Sequence, residues 1–437
     1  SSTSTANSLY NYFKEVSYNQ IFINSTLYPT SSSNFVLSYQ DIYPRNYYQP
    51  YEETLNPNGY IDDRTDREQS LLRRAIESID GEVPAGLNLD FNSDGYVDNV
   101  CFIVRGDVGE WAELLWPHRW ALFNEYAEIN GLQVWDFNFQ IESFFFLPTR
   151  GVGVLCHEMF HTFGAPDLYH YDMEYRYFRS VGYWDLMDRG MNPTESMSTY
   201  MKYVYGGWIN DIPEITVPGT YTLSPISSPT NNCYMIASPN SFNEYFVLEY
   251  RKKEGIFENS LKGEGLLIYR VNSDAWGYGN SDYPNNPDEL YVFRPDGIDT
   301  ITGQINNAAF SLDAGRTDFH TSSNPQCLLA DGSAGGITIT EISAIGNTIS
   351  FCYNCPVSAT ETKTDELKVY PNPAQNLIHI SSPLPVSGIR IIGLEGKEYQ
   401  YSTTNNSDID ISSLPAGIYF VEMVSAEKTH RTKVVKL

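Results

Sequence analysis

Leu155-Cys156-His157-Glu158-Met159-Phe160-His161-Thr162-Phe163-Gly164-Ala165-Pro166-Asp167 places two histidines four residues apart, sets a glutamate beside the first, and closes on glycine, proline and aspartate. On a helix, residues i and i+4 share a face with Cβ atoms about 5–6 Å apart. His157 and His161 can therefore hold one tetrahedral zinc ion between them. Glu158 follows the first histidine and can reach a water at the ion's open position as general base. Gly164 permits the left-handed turn that ends such a helix, and a proline follows naturally. The chain then doubles back to present Asp167 as a third, oxygen ligand. Three protein ligands and one open position make a catalytic zinc site. Asp172 and Asp188 are close enough in sequence to compete for the third place. The Cys156 thiol is expected to point away from the ion.

Further along, Tyr183-Trp184-Asp185-Leu186-Met187-Asp188-Arg189-Gly190 is a short apolar stretch closed by Asp, Arg and Gly. At this distance from the histidine helix it resembles the Met-turn of the metzincin metalloproteases, with Met187 under the metal. Upstream, Leu87 to Asp98 supplies oxygen side chains at alternating positions with a glycine at the sixth, the pattern of a calcium loop. Asp90, Asn92, Asp94 and Asp98 are the side-chain ligands expected there, with the carbonyl of Tyr96. The twelfth position is Cys101 rather than a bidentate glutamate, so the loop is not a regular EF-hand. It runs instead into the strand Val100-Cys101-Phe102-Ile103-Val104, and its calcium is expected to brace rather than catalyse.

The composition bounds the rest. At 437 residues two or three domains are expected. Hydrophobic residues at 41% against 19% charged indicate a folded, strand-rich chain. A net charge of −26 repels phosphate backbones, which argues against a nucleic-acid partner. No run of 18 apolar residues occurs, so no transmembrane segment is expected. The start Ser1 to Asn7 lacks a signal-peptide profile and reads as already trimmed. Six cysteines are too sparse for a disulfide scaffold, and the CxxC at Cys352 and Cys355 reads as a local disulfide or free thiols.

An early helix is expected from a capping box at Thr65 and Glu68, followed by Leu72, Ile76 and Ile79. His118, among the aromatics of Trp116-Pro117-His118-Arg119-Trp120, reads as a packed, hydrogen-bonded residue lining the cleft. From about Pro213, short alternating stretches such as Tyr245 to Tyr250 and Gly265 to Val271 read as a β-sandwich. The division expected is 1–212 catalytic, 213–355 β-sandwich, 356–365 linker, and 366–437 a final domain of strands.

Residues around 8 to 355 resemble the immune inhibitor A family of secreted zinc metalloproteases. Besides the helix, the likeness lies in Tyr12-Phe13, Ser17-Tyr18, Asp90 to Asp98, Trp116-Pro117-His118, Trp184-Asp185-Leu186-Met187, Leu248-Glu249-Tyr250-Arg251 and Gly265 to Tyr269. The resemblance implies His157, His161 and Asp167 as zinc ligands, Glu158 as base and Met187 in the Met-turn. The fold class expected is α+β: a metzincin-like zinc protease domain, then a β-sandwich, then a small all-β immunoglobulin-like domain. That last segment resembles the type IX secretion sorting domain of Bacteroidetes-type bacteria, through Val369-Tyr370-Pro371-Asn372-Pro373-Ala374, Gly393 to Lys397, Leu414 to Phe420 and Lys433 to Leu437. It implies outer-membrane secretion machinery as a partner and a secreted or surface location. The activity expected is hydrolysis of protein or peptide substrates by a zinc-activated water, with Zn²⁺ catalytic and Ca²⁺ structural. Tyr183 or Tyr200 is a candidate to hold the oxyanion. The rival is a catalytically silent surface protein that binds protein or glycan on a protease fold, against which the intact Glu158 argues.

Overall fold

A computed structural model describes residues 5–31, 35–107, 114–192, 194–355, 368–381, 388–393, 397–402, 408–424 and 429–437. The chain forms two compact units, Ser1–Cys355 and Pro356–Leu437. The linker expected at 356–365 and residues 1–4 lie outside the described residues. The chain is mixed and sheet-rich with few helices.

In the first unit, α1 (Leu9–Val16) starts at Ser8, whose hydroxyl accepts from Asn11 N at 3.3 Å. Leu9, Tyr12, Phe13 and Val16, spaced for one helix face, are all buried. Helix α2 (Arg64–Ile79) buries Leu72 and Ile76 as their spacing predicts, but the capping box does not form. The helix begins after Asp63, which leaves Thr65 within the first turn. Glu68 lies on the same stripe as Leu72 and Ile76, so it points at the sheet, where Oε1 sits 3.0 Å from His118 Nε2.

That sheet is built from β1 (Val100–Val104), β2 (His118–Ala121) and β5 (Asp136–Ile141), in the order β1-β5-β2. Between β2 and β5 a small hairpin joins β3 (Glu128–Ile129) to β4 (Leu132–Gln133). Strand β1 runs parallel to β5, with Val100 opposite Phe137, and β2 runs antiparallel, with His118 opposite Phe139. Helix α3 (Gly153–Thr162) follows β5, and α4 (Thr199–Val204) follows the 184–187 turn.

Beyond α4, β7 (Cys233–Ala237), β8 (Glu244–Arg251), β9 (Gly265–Asn272) and β10 (Leu290–Val292) make an antiparallel sheet ordered β10-β9-β8-β7. β6 (Gly219–Leu223), β11 (Ile339–Thr340) and β12 (Ile349–Tyr353) make another, ordered β11-β12-β6. β9 is buried along its whole length, as are the last six residues of β8. Alternate residues serve different cores: Val247, Leu267, Tyr269 and Val271 join Cys156, Met159 and Phe160 of α3, whereas Phe246, Leu248, Leu266 and Ile268 join Leu223, Ile339 and Phe351. A two-period strand buried on both faces carries apolar residues at consecutive positions, as β9 does from Leu266 to Tyr269 before the buried Arg270. One core thus includes residues on both sides of position 212. Cys352 and Cys355 are joined as a disulfide, and Cys101, Cys156, Cys233 and Cys327 are free.

The second unit carries β13 (Lys368–Tyr370), β14 (Leu377–Ser381) and β17 (Asp408–Asp410) in one antiparallel sheet, and β15 (Gly388–Gly393), β16 (Glu398–Ser402), β18 (Gly417–Val424) and β19 (Thr429–Lys436) in another. Ile378, Ile391, Ile409, Leu414, Tyr419, Val421 and Val434 form its core. Asn372 explains its own motif: Nδ2 donates to Lys433 O at 2.8 Å and Oδ1 accepts from Val435 N at 2.9 Å, tying 370–374 to the last strand. Among the described residues no helix is long and apolar enough to cross a membrane.

Candidate active site

Helix α3 presents His157 and His161 on one face, their rings nearly perpendicular with centroids 4.8 Å apart. The helix ends as its glycine requires. Gly164 takes φ +94°, and its N–H donates to His161 O at 2.9 Å. The reversed chain then delivers Asp167 to the histidines.

Each imidazole is oriented from behind. His157 Nδ1 lies 3.0 Å from Leu186 O, and His161 Nδ1 lies 2.6 Å from Ala165 O. A carbonyl only accepts, so both rings carry a proton on Nδ1, and in the neutral ring Nε2 is a bare lone pair. Asp167 Oδ1 sits 2.9 Å from His157 Nε2 and 3.4 Å from His161 Nε2. That oxygen is buried. Two imidazole nitrogens converging on one buried carboxylate oxygen form a donor set that fits zinc. The ligand atoms of His157, Glu158 and His161 lie within 4.8 Å of one another.

The charges are strongly coupled. Burial opposes the charge on His157, but the adjoining Asp167 carboxylate prevails and lifts it to about 9. Burial likewise works against Asp167, yet the two histidines hold its carboxyl well below the usual range. A cation held there would take the place of the histidine proton. Glu158 is pushed up by burial, against the pull of His157 and His161. A carboxylate with raised basicity suits proton abstraction.

The competing aspartates are engaged elsewhere. The buried Asp188 carboxylate accepts from Val181 N and Gly182 N at 3.1 and 2.6 Å and pairs with Arg179 at 2.9 Å, while exposed Asp172 accepts from Glu174 N at 2.8 Å. Cys156 is fully buried in the core cluster with Tyr12 and Met187. Met187 is buried there too. Its N–H donates to Asp185 Oδ1 at 2.9 Å and its carbonyl accepts from Leu168 N at 3.0 Å, so the turn grips both sides of the site through its backbone. His118 has both ring nitrogens engaged, Nδ1 at 2.7 Å from Trp116 O and Nε2 at Glu68, and Trp116 stacks on it at 5.3 Å.

Two further tyrosines meet the site. The Tyr171 hydroxyl donates to Asp167 Oδ2, and the Tyr169 ring lies over His157 with centroids 6.2 Å apart. The run Leu168-Tyr169-His170-Tyr171, directly after Asp167, was the available signal for them. Tyr200 is buried and donates to Glu289 Oε1 at 2.7 Å, while Tyr183 lies under Arg189 and Lys262 at 4.4 and 4.8 Å.

Away from the site, the 88–98 loop closes on itself. Asp90 accepts from Asp94 N and Gly95 N at 3.0 Å each, Asp94 from Tyr96 N at 2.9 Å, and Asp98 from Phe91 N at 3.1 Å. Asn92 Oδ1 accepts from Asp94 N at 3.1 Å. Asp98 is raised by burial and by the neighbouring Asp90 and Asp94 charges.

Residues 87–204 match the family described as the immune inhibitor A peptidase M6 catalytic domain, and residues 368–437 match the secretion system C-terminal sorting domain. No curated protein matches the chain. A solved structure of PorZ, a bacterial surface component of the type IX secretion system of Porphyromonas gingivalis, is 12% identical and covers 47% of this chain and 38% of PorZ, with a TM-score of 0.16.

Proposed function

We propose that this chain, a peptidase with an immune inhibitor A (M6) catalytic domain and a type IX sorting domain, is a secreted zinc-dependent endopeptidase. The sorting domain directs it to the cell surface or extracellular space of a Bacteroidetes-type bacterium. The observation that carries the reading is the convergence of His157 Nε2, His161 Nε2 and the buried Asp167 Oδ1, with the Glu158 carboxylate beside the histidines.

In this reading His157, His161 and Asp167 hold the ion. Bound zinc supplies Lewis acidity toward the scissile carbonyl and lowers the pKa of its water. Glu158 takes the proton from the attacking water and passes it to the leaving amine. Leu186 O and Ala165 O keep each ring's Nε2 aimed inward. Residues 1–212 would be the metzincin-like catalytic part and 213–355 the β-sandwich, followed by an immunoglobulin-like sorting domain that engages the outer-membrane machinery.

Cleavage of denatured casein is the test. It should stop on chelation and return with added zinc. Cleavage that persists after complete metal removal would refute the assignment.

We also propose that Asp90, Asn92, Asp94, Asp98 and the Tyr96 carbonyl hold a structural Ca²⁺. The crowding of Asp90, Asp94 and Asp98 supports it. Calcium should raise the unfolding temperature of the zinc-loaded chain by several degrees, and Asp90→Ala should erase that rise. An equal rise in the variant would exclude this loop.

A further inference from the structure

The buried end of a turn from the far half of the chain, Gly279-Asn280, meets the backbone of Asp167. Asn280 N donates to Asp167 O at 2.9 Å. The Asn280 side chain, fully buried, donates from Nδ2 to Leu168 O at 3.1 Å and to Leu290 O at 2.8 Å, and its Oδ1 accepts from Leu290 N at 3.2 Å. It therefore bridges the residue after Asp167 to strand β10. The approach is so close that Gly279, at φ +62°, has no room for a side chain. A Cβ there would stand 2.1 Å from Asp167 O and 2.9 Å from Pro166 Cβ.

The turn is itself held rigidly. Glu289, also fully buried, accepts from Gly279 N at 2.9 Å through Oε2 and from the Tyr200 and Tyr205 hydroxyls at 2.7 and 2.6 Å through Oε1. Next to it, Asp288 pairs with His170 at 2.7 Å and accepts from Ser180 Oγ, anchoring the segment that leaves Asp167. The bonds of Asn280 and Asp288 converge on one stretch, Asp167 to His170. A carboxylate ligand misplaced by a fraction of an ångström loses its metal contact, and groups that orient ligands commonly change metal affinity by about 10–100-fold when removed.

We propose that Gly279 and Asn280 are positioning residues for Asp167, so that a turn outside the matched peptidase segment sets the affinity of the metal site. This rests on the zinc-site reading above. The test measures zinc affinity by competition with a chromophoric chelator, together with thermal unfolding of the zinc-free chain. Gly279→Ala should weaken zinc binding by about 10–100-fold. Gly207→Ala is the control for backbone strain, since Gly207 has φ +63° but open space around its Cβ, and it should bind within about twofold of the parent. Should Gly279→Ala fail to fold, Asn280→Ser decides, because it keeps the backbone N–H and removes only the side-chain bridge; a several-fold loss is expected. Parental affinity in the variants, or an equal loss in Gly207→Ala, overturns the proposal alone. A parent chain that binds no zinc overturns it together with the site reading.

Discussion

Glu158→Gln is expected to lower peptide hydrolysis by about 10³-fold or more while the chain retains its zinc, because general acid–base catalysis contributes about 10²–10⁴-fold. Glutamine keeps the size of the side chain but has no basic oxygen to take the water's proton. The donors proposed for the metal are untouched, since His157 and His161 remain oriented by Leu186 O and Ala165 O. Metal analysis and casein hydrolysis on one preparation read both effects. Undiminished hydrolysis would remove Glu158 from the role of base. Hydrolysis and zinc lost together would mean that Glu158 helps hold the ion.

Arg251→Met is expected to cost about 3–5 kcal/mol of stability, the range for breaking a buried ion pair by removing one partner. Arg251 is fully buried and donates to both Glu258 oxygens at 2.6 Å, to Glu249 Oε1 at 3.2 Å, and to the carbonyls of Trp184 and Ser196 at 2.6 and 3.3 Å. Removing it leaves two carboxylates without their main cation. It would also orphan the Trp184 carbonyl beside Asp185, whose carboxylate orders Met187 N and Ser198 N at 2.9 and 2.7 Å. Urea unfolding measures the loss. Adding Glu258→Gln should restore part of it, because one uncompensated charge then disappears. If the double variant were no more stable than Arg251→Met, charge compensation would not be the cause.

Local chemistry was the legible part. The i, i+4 histidines, the terminating glycine, the aspartate that follows, and the burial of Leu72 and Ile76 all depend on spacings within a few turns, which helix geometry converts directly into shared faces. The capping box at Thr65 and Glu68 failed for a reason outside that window. Glu68 lies on the stripe facing the sheet, where a histidine from β2 was waiting. The Leu248-Glu249-Tyr250-Arg251 stretch could be read as a strand, yet nothing in it announced that Arg251 would donate to the Trp184 carbonyl.

By itself the sequence determined the donor types, the spacing of the two histidines, the strand-rich texture after Pro213 and the marks of the sorting domain. Only the tertiary structure decided which aspartate faces the histidines, which carbonyls set their tautomers, that Tyr171 meets Asp167, and that Asn280 N donates to its carbonyl. The physical reason is range. Hydrogen bonds along a helix are dictated by neighbours a few residues away, whereas a contact between Asp167 and Asn280 exists only after more than a hundred intervening residues have found their path, and no periodicity records that path.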